Sequence, residues 1–339
     1  MKSAGRLTLN FSGPAIQMPT LPILDLAALG RQPARPWHAQ YFAMYSSVLG
    51  GLVTDPRLML VPVDDHLVHR GDGVFETFKC MAGRLYNLAA HLDRLETSAR
   101  AIALAPPVPR ADLVDIIVQT LRAGGRRDAL VRLLLARGPG SLGVNPYDCP
   151  GPALYVVAYA LPPPFMALHP GGARVRTVDV PVKPGFLAAI KSVNYLPNVR
   201  MKMQAADAGA DFAAAFDEHG LLSEGATENI ALVTRARELR VPRPGRILPG
   251  TTQQRVLELA RDLVPAGRPA AIGAADLRLE DVRAAAEALI FGTTPDVTAV
   301  VEWDGRPVGD GQPGPVYQAL SRRLAEDMAH NPALQTVVF

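Results

Sequence analysis

The sequence predicts a two-domain protein of the α/β (α+β) class. Its 339 residues exceed the length at which a single hydrophobic core usually stops growing. Short apolar runs typical of strands alternate with segments in which apolar residues recur at helical spacing. A stiff run, Leu161-Pro162-Pro163-Pro164, predicts a linker within this series. We therefore expect an N-terminal extension over residues 1–40, a small α/β domain over 41–164 and a larger domain over 165–339.

The composition excludes several classes of protein. Hydrophobic residues make up 48% and charged residues 20%, as in ordinary folded proteins. A net charge of +3 without a run of basic residues argues against a nucleic-acid partner. Cys80 and Cys149 are too few for a disulfide framework or a structural zinc site, which favours a reducing compartment. Because neither a signal peptide nor a membrane-spanning apolar run stands out, we expect a soluble, cytoplasmic protein without a metal site.

The first domain is expected to begin with two short strands around Gly50-Gly51. A polar cluster follows, in which Gly71 and Gly73 allow a tight loop. Later runs predict strands over residues 74–80, 129–136 and 154–161, and helices over 90–104 and 111–123.

Two arginines of this domain lie among apolar residues. Arg94 borders the apolar stripe of the first long helix, where it either pairs with an acidic residue or binds a phosphate group. Arg132 interrupts the apolar strand over 129–136, and burying it requires a partner. That partner is either a neighbouring acidic residue or the carboxylate of a substrate.

The second domain is predicted to contain further strands and helices. Strands are expected over 174–181, 212–217, 229–233, 288–292 and 297–303, and helices over 198–209, 251–263, 275–286 (one or two) and 314–329. The helix over 198–209 should bury Val199, Met203 and Ala206. Thr251 and Thr252 open the next helix, where they either cap it or bind phosphate. The turn at Thr293 is a second place where donors could meet an anion.

Lys191 and Glu224 carry the main chemical hypothesis. Lys191 ends an apolar run, and Glu224 lies in a glycine-containing turn. A lysine with a lowered pKa forms a Schiff base with an aldehyde cofactor. A carboxylate can keep a pyridine nitrogen protonated, so that the ring accepts electrons. Either residue alone would ordinarily be read as a solvated surface charge.

The ordered motifs resemble the class IV aminotransferases, which are pyridoxal-phosphate enzymes of fold type IV. The resemblance extends from about residue 41 to 325. The matching segments are Gly71-Asp72-Gly73-Val74-Phe75-Glu76-Thr77, His91-Leu92-Asp93-Arg94-Leu95, Ile190-Lys191-Ser192-Val193-Asn194-Tyr195, Glu224-Gly225-Ala226-Thr227-Glu228-Asn229, Leu248-Pro249-Gly250-Thr251-Thr252 and Gly292-Thr293-Thr294.

The resemblance implies a fold, a cofactor and a set of site residues. It implies an N-terminal α/β sandwich and a C-terminal pseudo-barrel, with pyridoxal 5'-phosphate (PLP) between them, in a homodimer. Lys191 would be the catalytic Schiff-base residue, and Glu224 the partner of the ring nitrogen. The other residues implied to bind the cofactor are Arg94, Tyr195, Asn229, Leu248, Gly250, Thr251, Thr252 and Thr293.

The same resemblance implies the cofactor more specifically than it implies the substrate. The residues implied to face it are Arg70, Phe75, Leu130, Arg132 and Thr294. Arg132 lies where some branched-chain aminotransferases carry an arginine, but Leu130 and Arg70 stand where those enzymes have tyrosines. The segments around Arg70 and Lys191 look closest to plant-type enzymes acting on D-amino acids. We expect transfer of an amino group from a branched-chain or D-amino acid to a 2-oxo acid. The alternatives are an aminodeoxychorismate lyase and a non-catalytic PLP-binding protein.

Overall fold

The computed structural model of the chain describes residue 23, residues 25–183 and residues 185–339. The predicted extension over residues 1–40 therefore lies largely outside the described residues, which contribute from it a short helix, α1, over Leu26–Gly30. No helix in the described part of the chain is long and apolar enough to cross a membrane.

The first part of the chain forms an antiparallel sheet covered on one face by helices. Its strands are β1 Tyr41–Ser46, β2 Gly51–Val53, β3 Gly73–Met81, β4 Arg84–Tyr86, β5 Ala129–Ala136 and β6 Ala153–Tyr159. Its helices are α2 His66–His69, α3 Leu88–Ala101 and α4 Arg110–Gly124. The apolar stripe of α3 is buried as predicted, with Leu92 and Leu95 each 1% exposed. Both long helices pack on the apolar face of β3, β5 and β6.

The second part forms a mixed sheet with its own helices. Its strands are β7 Ala173–Thr177, β8 Phe212–Ala214, β9 Asn229–Val233, β10 Glu238–Pro242, β11 Ala271–Ala275, β12 Glu287–Gly292, β13 Asp296–Trp303 and β14 Arg306–Pro307. Its helices are α5 Phe165–Leu168, α6 Leu196–Asp207, α7 Thr251–Arg261, α8 Leu279–Ala284 and α9 Pro315–His330. The strand order is β11-β10-β9-β12-β13-β7-β8, and β14 pairs with β13.

The two sheets confirm the predicted α/β class but not a closed barrel. Among the described residues, the second sheet is an open path with β11 at one end and β8 at the other. The end of the chain returns to the first sheet, because β15 (Gln335–Val337) pairs antiparallel with β4. The first sheet therefore has the order β15-β4-β3-β5-β6-β1-β2. The predicted domain division at residue 164 assigns β15 to the second domain, although β15 pairs with the first sheet. The predicted domain boundaries stay a prediction.

The prediction for the buried face of α6 is wrong. Val199 and Met203 are 51% and 58% exposed, and Ala206 is also exposed. The helix instead buries Met201 and Ala205, together with the polar Asn198. Asn198 can be buried because its side-chain amide donates a hydrogen bond to the carbonyl of Ala226.

The second face of the first sheet lies towards the second domain. Thr77 pairs with Arg132 and Lys79 with Leu130 across β3 and β5. Directly paired residues share a face, and alternate residues of one strand do the same, so Phe75 lies on this face too. The Nζ atom of Lys79 contacts Asp296 of the second domain at 2.5 Å. This face forms one wall of the cleft that contains the predicted site.

Candidate active site

Lys191 is fixed by backbone contacts with β3. The amide of Phe75 donates to the carbonyl of Lys191 at 2.9 Å, and the amide of Val193 donates to the carbonyl of Gly73 at 3.1 Å. The amide of Lys191 itself donates to the hydroxyl of Ser98 on α3 at 3.1 Å. The segment around Lys191 thus extends the β3 ladder for a short distance. Its side chain is thereby directed from a rigid strand into the cleft.

The surroundings of the Lys191 amine favour its neutral form. The residue is 9% exposed, and its Nζ atom donates to the hydroxyl of Tyr195 at 3.3 Å. Burial lowers the pKa of Lys191 to about 7, and the positive charges of Arg94 and Arg132 act in the same direction. Lys191 therefore has the properties of a nucleophilic amine at neutral pH.

Tyr195 and Phe75 line the space beside this amine. Their rings meet edge to face, with centroids 5.0 Å apart. The Nζ atom of Lys191 lies 4.6 Å from the centroid of the Phe75 ring. Burial raises the pKa of the Tyr195 hydroxyl, which keeps it protonated and available as a hydrogen-bond donor.

Glu224 is held by the loop that precedes α7. The amide of Leu248 donates to Glu224 Oε2 at 3.0 Å. Burial raises the pKa of Glu224 to about 7, while this hydrogen bond and the charges of Lys183 and Lys191 oppose the rise. The carboxylate thus occupies a site where a cationic partner would stabilise its charge. Lys183 lies nearby, with its Nζ atom 4.5 Å from the centroid of the Tyr195 ring.

A buried triad on the other face of β3 holds Arg94. Glu76, which is fully buried, accepts hydrogen bonds from Arg94 at 2.7 and 2.8 Å and contacts His91 Nδ1 at 2.7 Å. Burial alone would raise the pKa of Glu76, but Arg94 and His91 together lower it to about 2. Arg94 also donates to the carbonyl of Pro249 at 3.0 Å. It is thus an ion-paired arginine, and its terminal nitrogens keep further N–H donors for an anion.

We expect Glu76→Gln to destabilise the protein by about 3 kcal/mol, because it leaves the Arg94 charge buried without its partner. Urea unfolding of the cofactor-free protein, followed by circular dichroism, measures this difference. Arg110→Gln is the matched control, since the pair between Arg110 of α4 and Asp93 of α3 is exposed and should contribute less than about 1 kcal/mol. Equal effects of the two substitutions would contradict the role given to Glu76.

The three predicted threonines meet at one small cavity. Thr251 and Thr252 begin α7, and Thr293 follows β12. All three line a cavity of about 20 Å³, together with His91. The Thr251 hydroxyl lies 3.3 Å from His91 Nε2. The N-terminus of α7 and these hydroxyl groups provide the donors that an anion prefers.

Asn229, Leu248 and Gly250 shape the loop before α7. The Asn229 side-chain amide donates to the carbonyl of Leu248 at 2.9 Å. Gly250 is buried against Asn229, and a β-carbon at this position would overlap the Asn229 side chain. These residues therefore hold the loop that supplies the backbone donor to Glu224, and glycine is required at position 250 by close packing.

The predicted substrate residues fall into two groups. Phe75 and Arg132 lie in the cleft, where the guanidinium carbon of Arg132 is 4.8 Å from the centroid of the Phe75 ring. Leu130 is buried on the same face of the sheet, and Thr294 lies in the turn after β12. Arg70 is exposed instead, and its guanidinium donates to the carbonyls of His69, Leu142 and Gly143. Those bonds tie it to the loop that carries Leu142 and Gly143.

Several residues of the site were not assigned a role from the sequence. Glu76 and His91 stood in the matched motifs, but only the structure shows that they bind Arg94 and Thr251. Ser98 could have been noticed, because it is a polar residue on the apolar stripe of α3. The contact between Lys79 and Asp296 joins residues far apart in the chain and has no local signature.

Comparison with known proteins identifies the family. The model of the amino-transferase class IV family matches residues 73–303, which is more than half of the chain. The chain is a class IV aminotransferase. The family predicted from the motifs is thereby confirmed, and enzymes of this family use PLP.

Individual relatives agree with this family. This class IV aminotransferase is 39% identical to a chloroplastic D-amino-acid transaminase of Arabidopsis thaliana, over 86% of this chain and 78% of that protein. It is 34% identical to a putative branched-chain-amino-acid aminotransferase of Methanocaldococcus jannaschii, over 82% and 94% of the two chains. The T.th. branched-chain amino acid aminotransferase with pyridoxamine 5'-phosphate superposes with a TM-score of 0.81 at 26% identity, over 88% and 99% of the two chains.

The residues of this aminotransferase fit PLP on chemical grounds. A buried amine with a lowered pKa, Lys191, is present for the aldehyde. A carboxylate that accepts a backbone hydrogen bond, Glu224, is present for the ring nitrogen. A helix N-terminus flanked by threonines and an arginine is present for the phosphate.

Proposed function

We propose that this aminotransferase moves an amino group between an amino acid, of the D- or branched-chain type, and a 2-oxo acid, with Lys191 as the catalytic residue. The observation that carries the proposal is that one cleft contains two groups whose pKa values are shifted in opposite directions. The pKa of Lys191 is lowered to about 7 and that of Glu224 is raised to about 7, in both cases mainly by burial. Perturbed groups that converge in a cleft are typical of catalytic sites.

Each residue has a distinct task in the proposed reaction. When bound, PLP supplies an electron sink for the negative charge that develops on the substrate Cα. Lys191 Nζ removes the proton from the substrate Cα and returns a proton later in the cycle, acting as general base and then as general acid. Glu224 would accept the hydrogen bond of the protonated ring nitrogen, and Tyr195 would hydrogen-bond the ring hydroxyl. Arg94, Thr252, Thr293 and the N-terminus of α7 would hold the phosphate.

Arg132 is the proposed site for a substrate carboxylate. Its Nε atom is buried and has no hydrogen-bond partner within the described part of the chain. A buried guanidinium N–H without a partner is unfavourable, so an incoming carboxylate would stabilise it. Arg132 also lies next to Phe75, which contacts the Lys191 amine. A carboxylate at Arg132 would therefore place the rest of the substrate near the reacting amine.

We expect Arg132→Met to raise KM for the amino acid about tenfold, with a smaller change in kcat. The substitution keeps most of the side-chain volume and removes the charge that would bind the carboxylate. Steady-state kinetics with an amino acid and with a primary amine lacking a carboxylate measure the effect. The amine, if it is accepted, should show no rise in KM. An equal rise for both donors would contradict carboxylate binding at Arg132.

A panel of L- and D-amino acid donors tests the proposed reaction directly. Formation of the new amino acid from 2-oxoglutarate or pyruvate is the expected result, and the accepted donors separate the D-amino acid type from the branched-chain type. Release of pyruvate and 4-aminobenzoate from aminodeoxychorismate, without a 2-oxo acid acceptor, would instead identify a lyase. Failure of every donor, with no change of the absorbance of bound PLP, would overturn catalysis by this site.

We also infer that the protein acts as a homodimer. Large apolar side chains are exposed on the loop over residues 141–147 and on α6. They are Leu142, Val144, Tyr147, Leu196, Val199 and Met203. Contiguous exposed apolar surface marks sites of interaction, and we propose that these two segments form such a surface in the dimer. Sedimentation equilibrium should give twice the chain mass of 36.2 kDa, and a mass equal to that of one chain would contradict the inference.

A further inference from the structure

A buried ion pair joins the two domains beside the proposed phosphate site. Lys79 on β3 is 5% exposed, and its Nζ atom lies 2.5 Å from Oδ1 of Asp296, whose side chain is 15% exposed. Lys79 belongs to the first sheet, whereas Asp296 is the first residue of β13 in the second sheet. Buried charges are kept in proteins only where each has a partner, so the two side chains hold each other in place.

Asp296 also closes the turn that carries Thr293. Gly292 of β12 pairs with Asp296 of β13, which leaves Thr293, Thr294 and Pro295 as the hairpin loop. Asp296 has a φ angle of 55°, in the left-handed region that closes three-residue hairpin loops. Glycine would adopt this conformation with less strain, but only a carboxylate can also pair with Lys79. The position therefore serves both the turn and the ion pair.

The ion pair lines the same cavity as the proposed phosphate ligands. Lys79, Asp296, Thr252 and Thr293 all border the cavity of about 20 Å³ at the start of α7. A cavity of this size holds about one water molecule. Any shift of the Thr293 turn relative to β3 would change this small space directly.

The strand β3 thus supports two parts of the site at once. Its residue Phe75 binds the Lys191 segment through the backbone, and its residue Lys79 binds the Thr293 turn through the side chain. The two residues share a face and lie about 13 Å apart along the strand. One rigid element therefore sets the distance between the proposed covalent and phosphate ends of the cofactor site.

We propose that Lys79 and Asp296 are positioning residues that hold the Thr293 turn in place for the cofactor phosphate. The proposal rests on the proposed role of Thr252 and Thr293 as phosphate ligands. Neither residue of the pair needs to contact the cofactor. Their contribution is to fix the turn of the second domain against the first sheet.

The test compares the binding of PLP and of pyridoxal, which lacks the phosphate, to the cofactor-free protein. Lys79→Met and Asp296→Asn each remove one charge, and asparagine tolerates the left-handed conformation at position 296. We expect each substitution to weaken PLP binding about tenfold, measured by titration of the protein fluorescence, and to change pyridoxal binding less than about twofold. The double variant should be no weaker than the weaker single variant, because both changes break the same pair.

Glu287→Gln is the matched control. Glu287 is a buried carboxylate at the opposite end of β12, where it accepts hydrogen bonds from the amides of Val316 and Tyr317. It should lower the melting temperature without changing the ratio of the PLP and pyridoxal dissociation constants. An equal loss of PLP and pyridoxal affinity in Lys79→Met and Asp296→Asn would overturn the proposal. Wild-type protein that binds PLP no better than pyridoxal would instead overturn the phosphate site itself.

Discussion

Lys191→Ala is expected to lower kcat by at least about 1000-fold. The substitution removes both the amine that binds the cofactor covalently and the group that moves the substrate proton. The nearby Tyr195 hydroxyl does not replace it as a base, because burial raises its pKa and keeps it protonated. The residual rate should not be restored by added PLP, since the lost group is the proton carrier.

Covalent attachment gives an independent measurement for Lys191. After reduction with borohydride, peptide mass spectrometry should locate the cofactor on Lys191 in the wild type and on no residue of Lys191→Ala. Lys183→Met is the matched control, because Lys183 is a second lysine beside Tyr195 and should leave the attachment at Lys191 intact. Attachment at Lys183 in the wild type would refute the assignment.

The pH dependence of this attachment follows from the pKa of Lys191. Only the uncharged amine attacks an aldehyde, and a pKa of about 7 makes it available as the pH rises through neutrality. The rate of attachment to cofactor-free protein should therefore rise about tenfold per pH unit below 7 and level off above it. A rate that continued to rise up to pH 10 would show that the amine has the pKa of an ordinary lysine.

Glu224→Gln is expected to lower kcat about 100-fold, the size of effect seen when one preorganised electrostatic contact is removed. A neutral amide cannot stabilise the positive charge of a protonated ring nitrogen, so the ring withdraws electrons less strongly. The glutamine can still accept the hydrogen bond that Leu248 donates to the carboxylate. The loop before α7 should consequently keep its structure, and the loss should fall on kcat rather than on folding.

Glu228→Gln is the control for this experiment. Glu228 is the nearest carboxylate on the same turn, but it hydrogen-bonds to Thr227 and not to the loop before α7. Its substitution should change kcat less than about threefold. Single-turnover measurements with a deuterated Cα position would show whether the slow step in Glu224→Gln is proton removal. Similar losses in both variants would contradict the role proposed for Glu224.

The fold was predictable where the local pattern was strong. The strands β5 and β9 have the predicted bounds, because each is a continuous apolar run rich in residues that favour strands. The strand β11 was missed, and its last residue was assigned to a helix, because Ala271-Ile272-Gly273-Ala274-Ala275 has little strand propensity. It forms by parallel pairing with β10, which is a non-local contact. The buried face of α6 was predicted wrongly, because the burial of Asn198 depends on a hydrogen bond to the carbonyl of Ala226.

The site residues that lie in recognisable sequence motifs were predictable. Lys191 and Glu224 were selected from segments that resemble a known family, and that family is confirmed. Their roles stay predictions. The partners of these residues were not predictable, because Glu76 reaches Arg94 across a strand–helix interface and Lys79 reaches Asp296 across two domains. Such contacts depend on three-dimensional packing and leave no periodic signal in the sequence.

The pairing of β15 with β4 has a consequence for biosynthesis. Val338 follows β15, is fully buried and donates to the carbonyl of Gly83, so residues 335–338 complete the first sheet. On the ribosome, β4 is made long before β15, so its outer edge, opposite β3, stays unpaired while most of the chain is synthesised. The first sheet can therefore be completed only after the second domain has been made.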